Sequence, residues 1–255
     1  MSEDIKISDI KDEYKAADLC LLPSFIDKYI SDGRPGVAKL VDQASKRLEK
    51  LRLEKERMKE MWHFENTYND VFHVICGIDE AGRGPLAGPV VAAAVIFPKD
   101  SDILYVNDSK KLSAKLREEL YDEIFEKAVS VGIGRSEPER IDEINILQAT
   151  YEAMREAVSK LSPEPDLLLN DAVTIPGLNM KQIPIIKGDA KSASIAAASI
   201  IAKVTRDREM AKLDELYPEY GFLKHKGYGT ADHIEALKKY GPSPIHRKSF
   251  IGNFI

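Results

Sequence analysis

The chain contains few of the residues from which disulfide frameworks and thiolate metal sites are built. Its 255 residues include two cysteines, Cys20 and Cys76, which lie far apart in the sequence. Two distant thiols predict neither a disulfide framework nor a cysteine-ligated metal ion. They are typical of a protein kept in a reducing compartment.

Long apolar runs are also missing. The best candidate, residues 90–97, is far too short to cross a bilayer. Residues 1–6 are acidic and lack the basic-then-apolar order of a secretion signal. We therefore expect a cytoplasmic protein that makes no use of a membrane.

The chain has no large excess of charge of either sign. Its net charge is −5, which disfavours a generic nucleic-acid binder. The charge is unevenly distributed, however. Residues 1–32 hold 4 basic and 8 acidic residues, residues 33–60 hold 9 and 5, and residues 181–255 hold 13 and 8. A basic binding face is therefore compatible with the acidic total.

The familiar nucleotide-binding glycine motifs are absent or incomplete. No Gly-Lys-Ser/Thr follows a glycine loop, which excludes a Walker loop. Residues 82–87 loosely fit the dinucleotide-binding fingerprint, but that fingerprint must open a helix. Here Pro89 leads into an apolar strand instead.

Residues 74–97 contain a glycine-rich turn between two apolar strands. Asp79 and Glu80 stand where the first strand ends. Ionised carboxylates beside a core are costly unless they are paired or bound to a metal ion, and the glycines let a ligand approach the backbone. This arrangement indicates a site for a cation and a phosphate, although two acids at a strand end are also typical of a solvated turn.

The hydrophobic pattern predicts a helical N-terminal extension, residues 1–70, and a second domain, residues 71–255. The extension contains a long charged helix from Val37 to about Phe64. We favour a solvated helix with internal ion pairs, and the alternative is a basic helix that lies along a phosphate backbone. In the second domain, strands and helices are interspersed, which predicts an α/β fold with a mixed sheet flanked by helices. The predicted strands are 73–79, 90–97, 129–135, 166–171 and 182–187.

Two further acids share the setting of Asp79 and Glu80. Asp171 ends the fourth predicted strand, and Asp189 precedes an Ala/Ser-rich helix predicted over residues 192–216. Taken alone, Asp189 is better explained as the N-cap of that helix. Close packing of the small residues on the sheet would nevertheless bring Asp189 to the sheet's edge. Four converging carboxylates favour Mg²⁺ or Mn²⁺ over zinc, and such paired cations promote phosphodiester hydrolysis.

A second cluster of aromatic residues, lysines and glycines occupies residues 217–230. Its composition suits contact with sugars, bases and phosphates. A surface loop over core tyrosines explains the same composition equally well.

Together these motifs resemble type 2 ribonuclease H, specifically the bacterial ribonuclease HII group. The resemblance covers about residues 72–255, and the ribonuclease HIII group is less similar because it lacks the Gly-Arg-Gly loop in this form. The matching segments occur in the same order as in the family and are residues 77–89, 107–112, 187–189, 195–207 and 225–230.

The resemblance implies an α/β ribonuclease H-like fold and an Mg²⁺- or Mn²⁺-dependent endonuclease. The family's catalytic and metal-binding acids fall on Asp79, Glu80, Asp171 and Asp189. The implied substrate contacts are Gly82, Arg83, Gly84, Ser109, Lys110 and Tyr228. The implied substrates are RNA–DNA hybrids and DNA duplexes that contain ribonucleotides, and a two-metal mechanism would leave 3′-hydroxyl and 5′-phosphate ends.

Two alternatives belong to other functional classes. A nucleic-acid-binding protein could keep this fold without activity, but all four acids are intact. Another nuclease or recombinase could share the fold, but the Gly-Arg-Gly loop and Tyr228 favour ribonucleotide selection.

Overall fold

The computed structural model describes residues 5–255. The chain forms two compact units, Met1–Lys59 and Glu60–Ile255. The division falls within the segment predicted as the N-terminal extension, whose boundary near residue 70 stays a prediction.

The first unit is helical. It contains α1 (Ile7–Ala16), α2 (Leu22–Tyr29) and most of α3 (Pro35–Met61). Pro35 occupies the first helical position, where an N–H would have no partner within the helix. A small core buries one face of these helices, and its buried members are Ile10, Ala17, Leu22, Phe25, Tyr29, Val37, Leu40 and Ala44.

Ion pairs run along the exposed surface of α3. Their members stand three or four residues apart, a spacing that stabilises a helix by about 0.2–0.5 kcal/mol per pair. The pairs are Lys46–Asp42, Arg52–Glu49, Arg57–Glu54 and Lys59–Glu56. This pattern favours the interpretation of α3 as a solvated helix. The prediction that it runs to Phe64 is wrong, because α3 ends at Met61 and a short α4 (His63–Tyr68) follows.

The second unit is built on a mixed five-stranded sheet, as the sequence predicted. Its order is β3-β2-β1-β4-β5. The β1–β2 and β2–β3 pairs are antiparallel, and the β1–β4 and β4–β5 pairs are parallel. Because β1 and β4 are parallel, their carboxyl ends meet at one edge of the sheet. The strands are β1 (Ile75–Ala81), β2 (Val90–Ile96), β3 (Ser130–Ser136), β4 (Leu167–Asp171) and β5 (Lys181–Ile185).

Three long helices accompany the sheet: α5 (Ala114–Lys127), α6 (Pro138–Ser159) and α7 (Ala193–Leu216). α5 begins directly after Ser113, whose hydroxyl accepts a hydrogen bond from the Leu116 N–H. α6 is interrupted at Asn145, which has a φ of 68°.

Side chains of β1 alternate between two faces of the sheet. Cys76 and Ile78 join the core formed with α6, whereas Ile75 packs with Ile195 of α7. Asp79 has the parity of Ile75 and therefore projects toward α7.

Short helices complete the second unit: α8 (Phe222–His225), α9 (Ala231–Tyr240) and α10 (Lys248–Ile251). Throughout residues 5–255, no helix is both long enough and apolar enough to span a bilayer.

Candidate active site

The packing of α7 on β1 positions the first two acids. A Cβ on Gly77 would lie 2.2 Å from the backbone carbon of Ser194, so only glycine allows this approach. The contact confirms the prediction that the small residues of α7 pack directly on the sheet. Two residues after Gly77, Asp79 stands on the same face and is 6% exposed.

Two serines support Asp79. The Ser199 hydroxyl of α7 donates to the Asp79 carboxylate, and the hydroxyls of Ser199 and Ser109 lie 3.0 Å apart. Burial raises the pKa of Asp79 well above its usual range, and the neighbouring Glu80 and Asp171 raise it further. Ser109 was predicted to contact substrate. Its side chain is largely buried and connects to Asp79 through Ser199.

Glu80 follows on the other face of β1. It interacts with the loop of residues 82–88 between β1 and β2, which we call the glycine loop. Its Oε1 accepts a hydrogen bond from Arg83 Nη1 at 3.2 Å. Burial raises the pKa of Glu80, while the Arg83 guanidinium opposes that shift.

Asp171 and Asp189 reach the same edge from neighbouring segments. Ile78 of β1 pairs with Asn170 of β4, so Asp79 and Asp171 follow one residue later on adjacent strands. Asp171 Oδ1 accepts from the Gly188 backbone N–H at 2.7 Å, which ties β4 to the turn that carries Asp189. Burial, followed by the negative charges of Asp108 and Asp171, raises the pKa of Asp189.

The N-cap interpretation of Asp189 is wrong. The helix α7 is capped by Ser192, whose hydroxyl accepts from the Ile195 N–H. Asp189 lies earlier, in the 3₁₀ turn Gly188–Ala190, which is preceded by Lys187 in a left-handed conformation. The Asp189 side chain is therefore not needed to cap the helix, and it lies close enough to Asp171 for the two charges to interact.

These four carboxylates have the donor chemistry of a site for a hard divalent cation, because all their ligand atoms are oxygens. Across residues 5–255, however, no three His, Cys, Asp or Glu side chains converge closely enough to form a ready-made metal centre. Glu80 is held by Arg83 and Asp171 by Gly188. Each of these hydrogen bonds leaves other carboxylate lone pairs free, so cation binding would require the side chains to move closer together but not to lose these partners.

Arg247 determines the shape of the glycine loop. It is fully buried, and its guanidinium donates to the carbonyl oxygens of Gly82, Arg83, Pro85 and Gly88 at 2.6–3.0 Å. Burial and the nearby Arg206 lower the pKa of Arg247 to about 9. One planar side chain thus holds the carbonyls on one side of the loop.

This orientation leaves two amides directed away from Arg247. In a trans peptide the C=O and the following N–H point in opposite directions. Since the Gly82 and Arg83 carbonyls face Arg247, the N–H groups of Arg83 and Gly84 face the other way. Within residues 5–255 neither amide donates to a protein acceptor.

Arg206 of α7 is a second buried arginine beneath the loop. It donates to the carbonyls of Pro89, Ala87 and Lys226. Gly82 has a φ of +96°, and a Cβ there would lie 2.1 Å from Arg206 Nε. Glycine at 82 therefore satisfies both the backbone conformation and the approach of the arginine.

A cavity of about 360 Å³ opens beside the loop. It brings together Glu80 and all six residues predicted to bind substrate. Tyr228 is 45% exposed, and its ring lies 3.7 Å from the place where a Gly84 Cβ would stand. The lining residues are Glu80, Ala81, Gly82, Arg83, Gly84, Ser109, Lys110, Ser199, Lys203, Arg206 and Tyr228.

Two buried histidines, His233 and His246, support the segment that carries Tyr228. His233 Nδ1 donates to the Tyr228 carbonyl, and its Nε2 lies 3.0 Å from His246 Nε2. Because His246 Nδ1 accepts from the Ser243 N–H, its Nε2 carries the proton that is shared with His233. Burial lowers the pKa of His246 to about 4, so this set of neutral tautomers persists at neutral pH.

Sequence reasoning missed the residues that shape the loop. Ser199 and Arg206 lie in a segment that matched the family pattern, but no role was assigned to them. Nothing in the sequence marked Arg247 as a buried or functional residue, because a lone arginine after a histidine is typical of an exposed surface. Its burial among carbonyls is a tertiary property.

Comparison with known proteins agrees with this geometry. The family model described as ribonuclease HII matches residues 76–253, and the model for the ribonuclease HII N-terminal domain matches residues 6–69. The chain belongs to the ribonuclease HII family. The predicted family is therefore confirmed, and the chain is a metal-dependent endoribonuclease.

Curated and solved relatives support the assignment over most of the chain. The ribonuclease HII of Lachnoclostridium phytofermentans is 61% identical over 249 residues and covers 98% of each chain. The crystal structure of ribonuclease H2 from Pyrococcus horikoshii OT3 is 32% identical, with a TM-score of 0.58, and the match covers 69% of this chain and 93% of that one. A Bst-RNase HIII structure in complex with Mn²⁺ is 18% identical, with a TM-score of 0.51, 66% of this chain covered and 63% of that one, and shares the fold.

Proposed function

We propose that this ribonuclease cleaves the RNA strand of RNA–DNA hybrids and also cuts duplex DNA 5′ to an embedded ribonucleotide. The observation that carries the proposal is the Arg247-held loop, which presents the amides of Arg83 and Gly84 beside Glu80. A 2′-hydroxyl distinguishes RNA from DNA at a single nucleotide. Two unpaired donors at one wall of the cavity suit that group and would stay unpaired against a deoxyribose, which disfavours DNA.

The acids are proposed to hold Mg²⁺ or Mn²⁺. Asp79, Glu80, Asp171 and Asp189 would be the ligands, with Asp79 as the shared one. When bound, such cations lower the pKa of water and stabilise the leaving oxygen of a phosphodiester. Ser199 would hold the Asp79 carboxylate in place, and Lys110 would attract the phosphate to the cavity.

Cleavage of defined duplexes tests this proposal. The substrates are a DNA duplex with one ribonucleotide, an RNA–DNA hybrid and an all-DNA duplex, each with Mg²⁺ or Mn²⁺. We expect cuts in the first two, with 3′-hydroxyl and 5′-phosphate ends, and none in the third. Cleavage of the hybrid without cleavage at the single ribonucleotide would contradict the finer proposal.

The Tyr228 ring is expected to pack against the sugar of the nucleotide that follows the ribonucleotide. Its exposed ring stands beside Gly84 at the mouth of the cavity. We expect Tyr228→Ala to lower activity on a single ribonucleotide by about tenfold or more, as for loss of one stacking contact of 1–3 kcal/mol, and to lower activity on an all-RNA strand less. Tyr240→Ala, which removes another half-exposed tyrosine, is the matched control. Equal losses on both substrates would reduce Tyr228 to a general contact.

The N-terminal unit is proposed to add affinity for the phosphate backbone. Residues 33–60 carry 9 basic and 5 acidic residues. A chain that begins at Glu60 is expected to fold and cleave but to bind its duplex more weakly, with a flatter dependence on salt. Binding measured at several salt concentrations checks this, and an unchanged slope would mean that α3 is only a solvated helix.

The residue at which the protein is truncated decides how much of the second unit's core is kept. A chain that begins at Asn69 also loses Phe64 and Tyr68, which pack against the core beside β1 and β4. It loses Glu65 as well, which accepts hydrogen bonds at the start of α7. We expect that shorter chain to be markedly less stable than the one that begins at Glu60, as judged by thermal unfolding.

A further inference from the structure

Two buried histidines connect the turn of residues 225–229, which we call the tyrosine turn, to a segment near the end of the chain. His233 Nδ1 donates to the Tyr228 carbonyl at 2.9 Å, and His233 Nε2 lies 3.0 Å from His246 Nε2. His246 Nδ1 accepts from the Ser243 N–H at 3.0 Å. Hydrogen bonds therefore run from Ser243 through both imidazoles to the backbone of Tyr228. We call this chain of bonds the histidine relay.

The far end of the histidine relay is attached to the glycine loop, because both sequence neighbours of the second histidine bond to that loop. The Gly88 N–H donates to the Ile245 carbonyl at 2.9 Å. The Arg247 N–H donates to the Leu86 carbonyl at 2.8 Å. The tyrosine turn is joined to the same loop, since the Leu86 N–H donates to the Gly227 carbonyl at 2.8 Å. The loop and the turn are thus held together both directly and through the histidine relay.

The backbone of the tyrosine turn depends on such support. Lys226 and Gly227 have φ values of 52° and 84°, so two successive residues are left-handed, a conformation that is unfavourable for lysine. Strained backbone persists only where the surrounding contacts determine it. The Tyr228 carbonyl accepts one hydrogen bond from the Thr230 N–H within the local chain and one from the His233 side chain. The bond from His233 is therefore the one that ties this carbonyl to the rest of the fold.

Filling the core does not by itself require two histidines here. His233 and His246 are both fully buried, and a buried polar ring is costly unless it is hydrogen-bonded. Burial lowers the pKa of both, to about 4 for His246, so each ring is neutral at pH 7 and has one donor and one acceptor. A satisfied network of this kind specifies one arrangement of the groups it joins. An apolar pair of similar volume would fill the space without fixing the Tyr228 carbonyl.

We propose that His233 and His246 are positioning residues that set the distance between the glycine loop and the Tyr228 ring. The inference rests on the proposed function, in which the loop contacts a 2′-hydroxyl and the ring packs against the next sugar. A duplex with one ribonucleotide has a single 2′-hydroxyl, so both contacts must form in one register. An RNA strand has a 2′-hydroxyl at every nucleotide, and contacts to the additional hydroxyls offset a displaced ring. The histidine relay would thus favour cleavage at a single embedded ribonucleotide.

Single-turnover cleavage of two duplexes with enzyme in excess tests the proposal. The measured quantity is the rate on DNA with one ribonucleotide divided by the rate on an RNA–DNA hybrid. We expect His233→Leu, which removes the donor to Tyr228, to lower this ratio about fivefold, the effect of one hydrogen bond. His233→Asn should retain most of the ratio, because the asparagine Nδ2 can donate from the place of the imidazole Nδ1. Loss of folded protein alone lowers both rates equally and leaves the ratio unchanged.

Two further variants separate positioning from stability. In a Tyr228→Ala background, His233→Leu should change the ratio no further, because residues that act through one another are not additive. Val158→Ala trims a buried side chain of α6 that lies outside the cavity. It should destabilise the protein and leave the ratio unchanged. If His233→Leu does not fold, His246→Asn replaces it: that variant keeps an acceptor for the Ser243 N–H, loses the donor to His233, and should lower the ratio.

The outcomes distinguish this inference from the proposed function. An unmodified protein that cuts the hybrid but not the single ribonucleotide contradicts both. If the unmodified protein cuts at the single ribonucleotide, three results overturn the role of the histidine relay alone. They are an unchanged ratio in folded His233→Leu or its replacement, an equal loss in His233→Asn, and a loss that persists in the Tyr228→Ala background.

Discussion

Asp79→Asn is expected to reduce cleavage to less than about one hundredth of the unmodified rate. Several kcal/mol of charge stabilisation depend on ligands of this kind, and each 1.36 kcal/mol is a factor of ten in rate. Asp79 is the most buried of the four acids and interacts with both Glu80 and Asp171. Single-turnover cleavage of a duplex with one ribonucleotide measures the loss.

The same substitution is expected to stabilise the fold near neutral pH. Burial gives Asp79 a higher pKa in the folded protein than in the unfolded chain. Its ionised form therefore disfavours folding above the unfolded pKa, and folding becomes more favourable as the pH falls. The neutral asparagine side chain would remove that cost, so the variant should unfold at a higher denaturant concentration than the unmodified protein at pH 7.

A surface acid provides the comparison. Asp122→Asn removes an equal charge from an exposed position on α5 and should change neither cleavage nor stability appreciably. If pure Asp79→Asn protein turned over at the unmodified rate, the proposed role of Asp79 in catalysis would be wrong. A variant that is inactive and less stable would indicate a structural role instead.

Arg247→Met is expected to lower the free energy of unfolding by about 3–5 kcal/mol. The substitution leaves the carbonyls of Gly82, Arg83, Pro85 and Gly88 without their donor, and each unsatisfied buried group costs about 1–3 kcal/mol. Relief of the buried charge and some relaxation of the loop offset part of that sum. Denaturant unfolding of both proteins measures the difference.

Arg247→Lys separates charge from geometry. Lysine keeps the positive charge but lacks the planar fork that reaches several carbonyls at once. We expect intermediate stability and weaker discrimination between a ribonucleotide and a deoxyribonucleotide. Lys248→Met, at the exposed neighbouring position, should resemble the unmodified protein. Full discrimination by a folded Arg247→Met protein would show that the loop does not depend on this arginine.

The elements that apolar patterning marks were predictable from the sequence. The runs before Asp79 and before Asp171 predicted buried strands, and both were found. Strands and helices interspersed along the chain predicted a mixed sheet flanked by helices, and the structure confirms that prediction.

The sequence analysis failed in two situations. In one, two residues compete for the same role, and in the other, the contact joins residues that are far apart in the sequence. Asp189 and Ser192 both precede α7 and both can cap a helix, and the sequence alone did not decide between them. Arg206 and Arg247 look like surface cations until the fold surrounds them with carbonyls. The direction of the Ser109 hydroxyl, toward Ser199 and away from solvent, is fixed only by the packing of α7.

The hydrogen bond from Arg247 to Gly82 joins residues that stand 165 positions apart. Contacts of such sequence separation form late, because the intervening chain must first be ordered. Loop closure itself adds little to the equilibrium cost, since its entropy grows only with the logarithm of length. The consequence is one of timing: in a partly folded chain, the acids on the strands would be in place before the glycine loop adopts its final conformation.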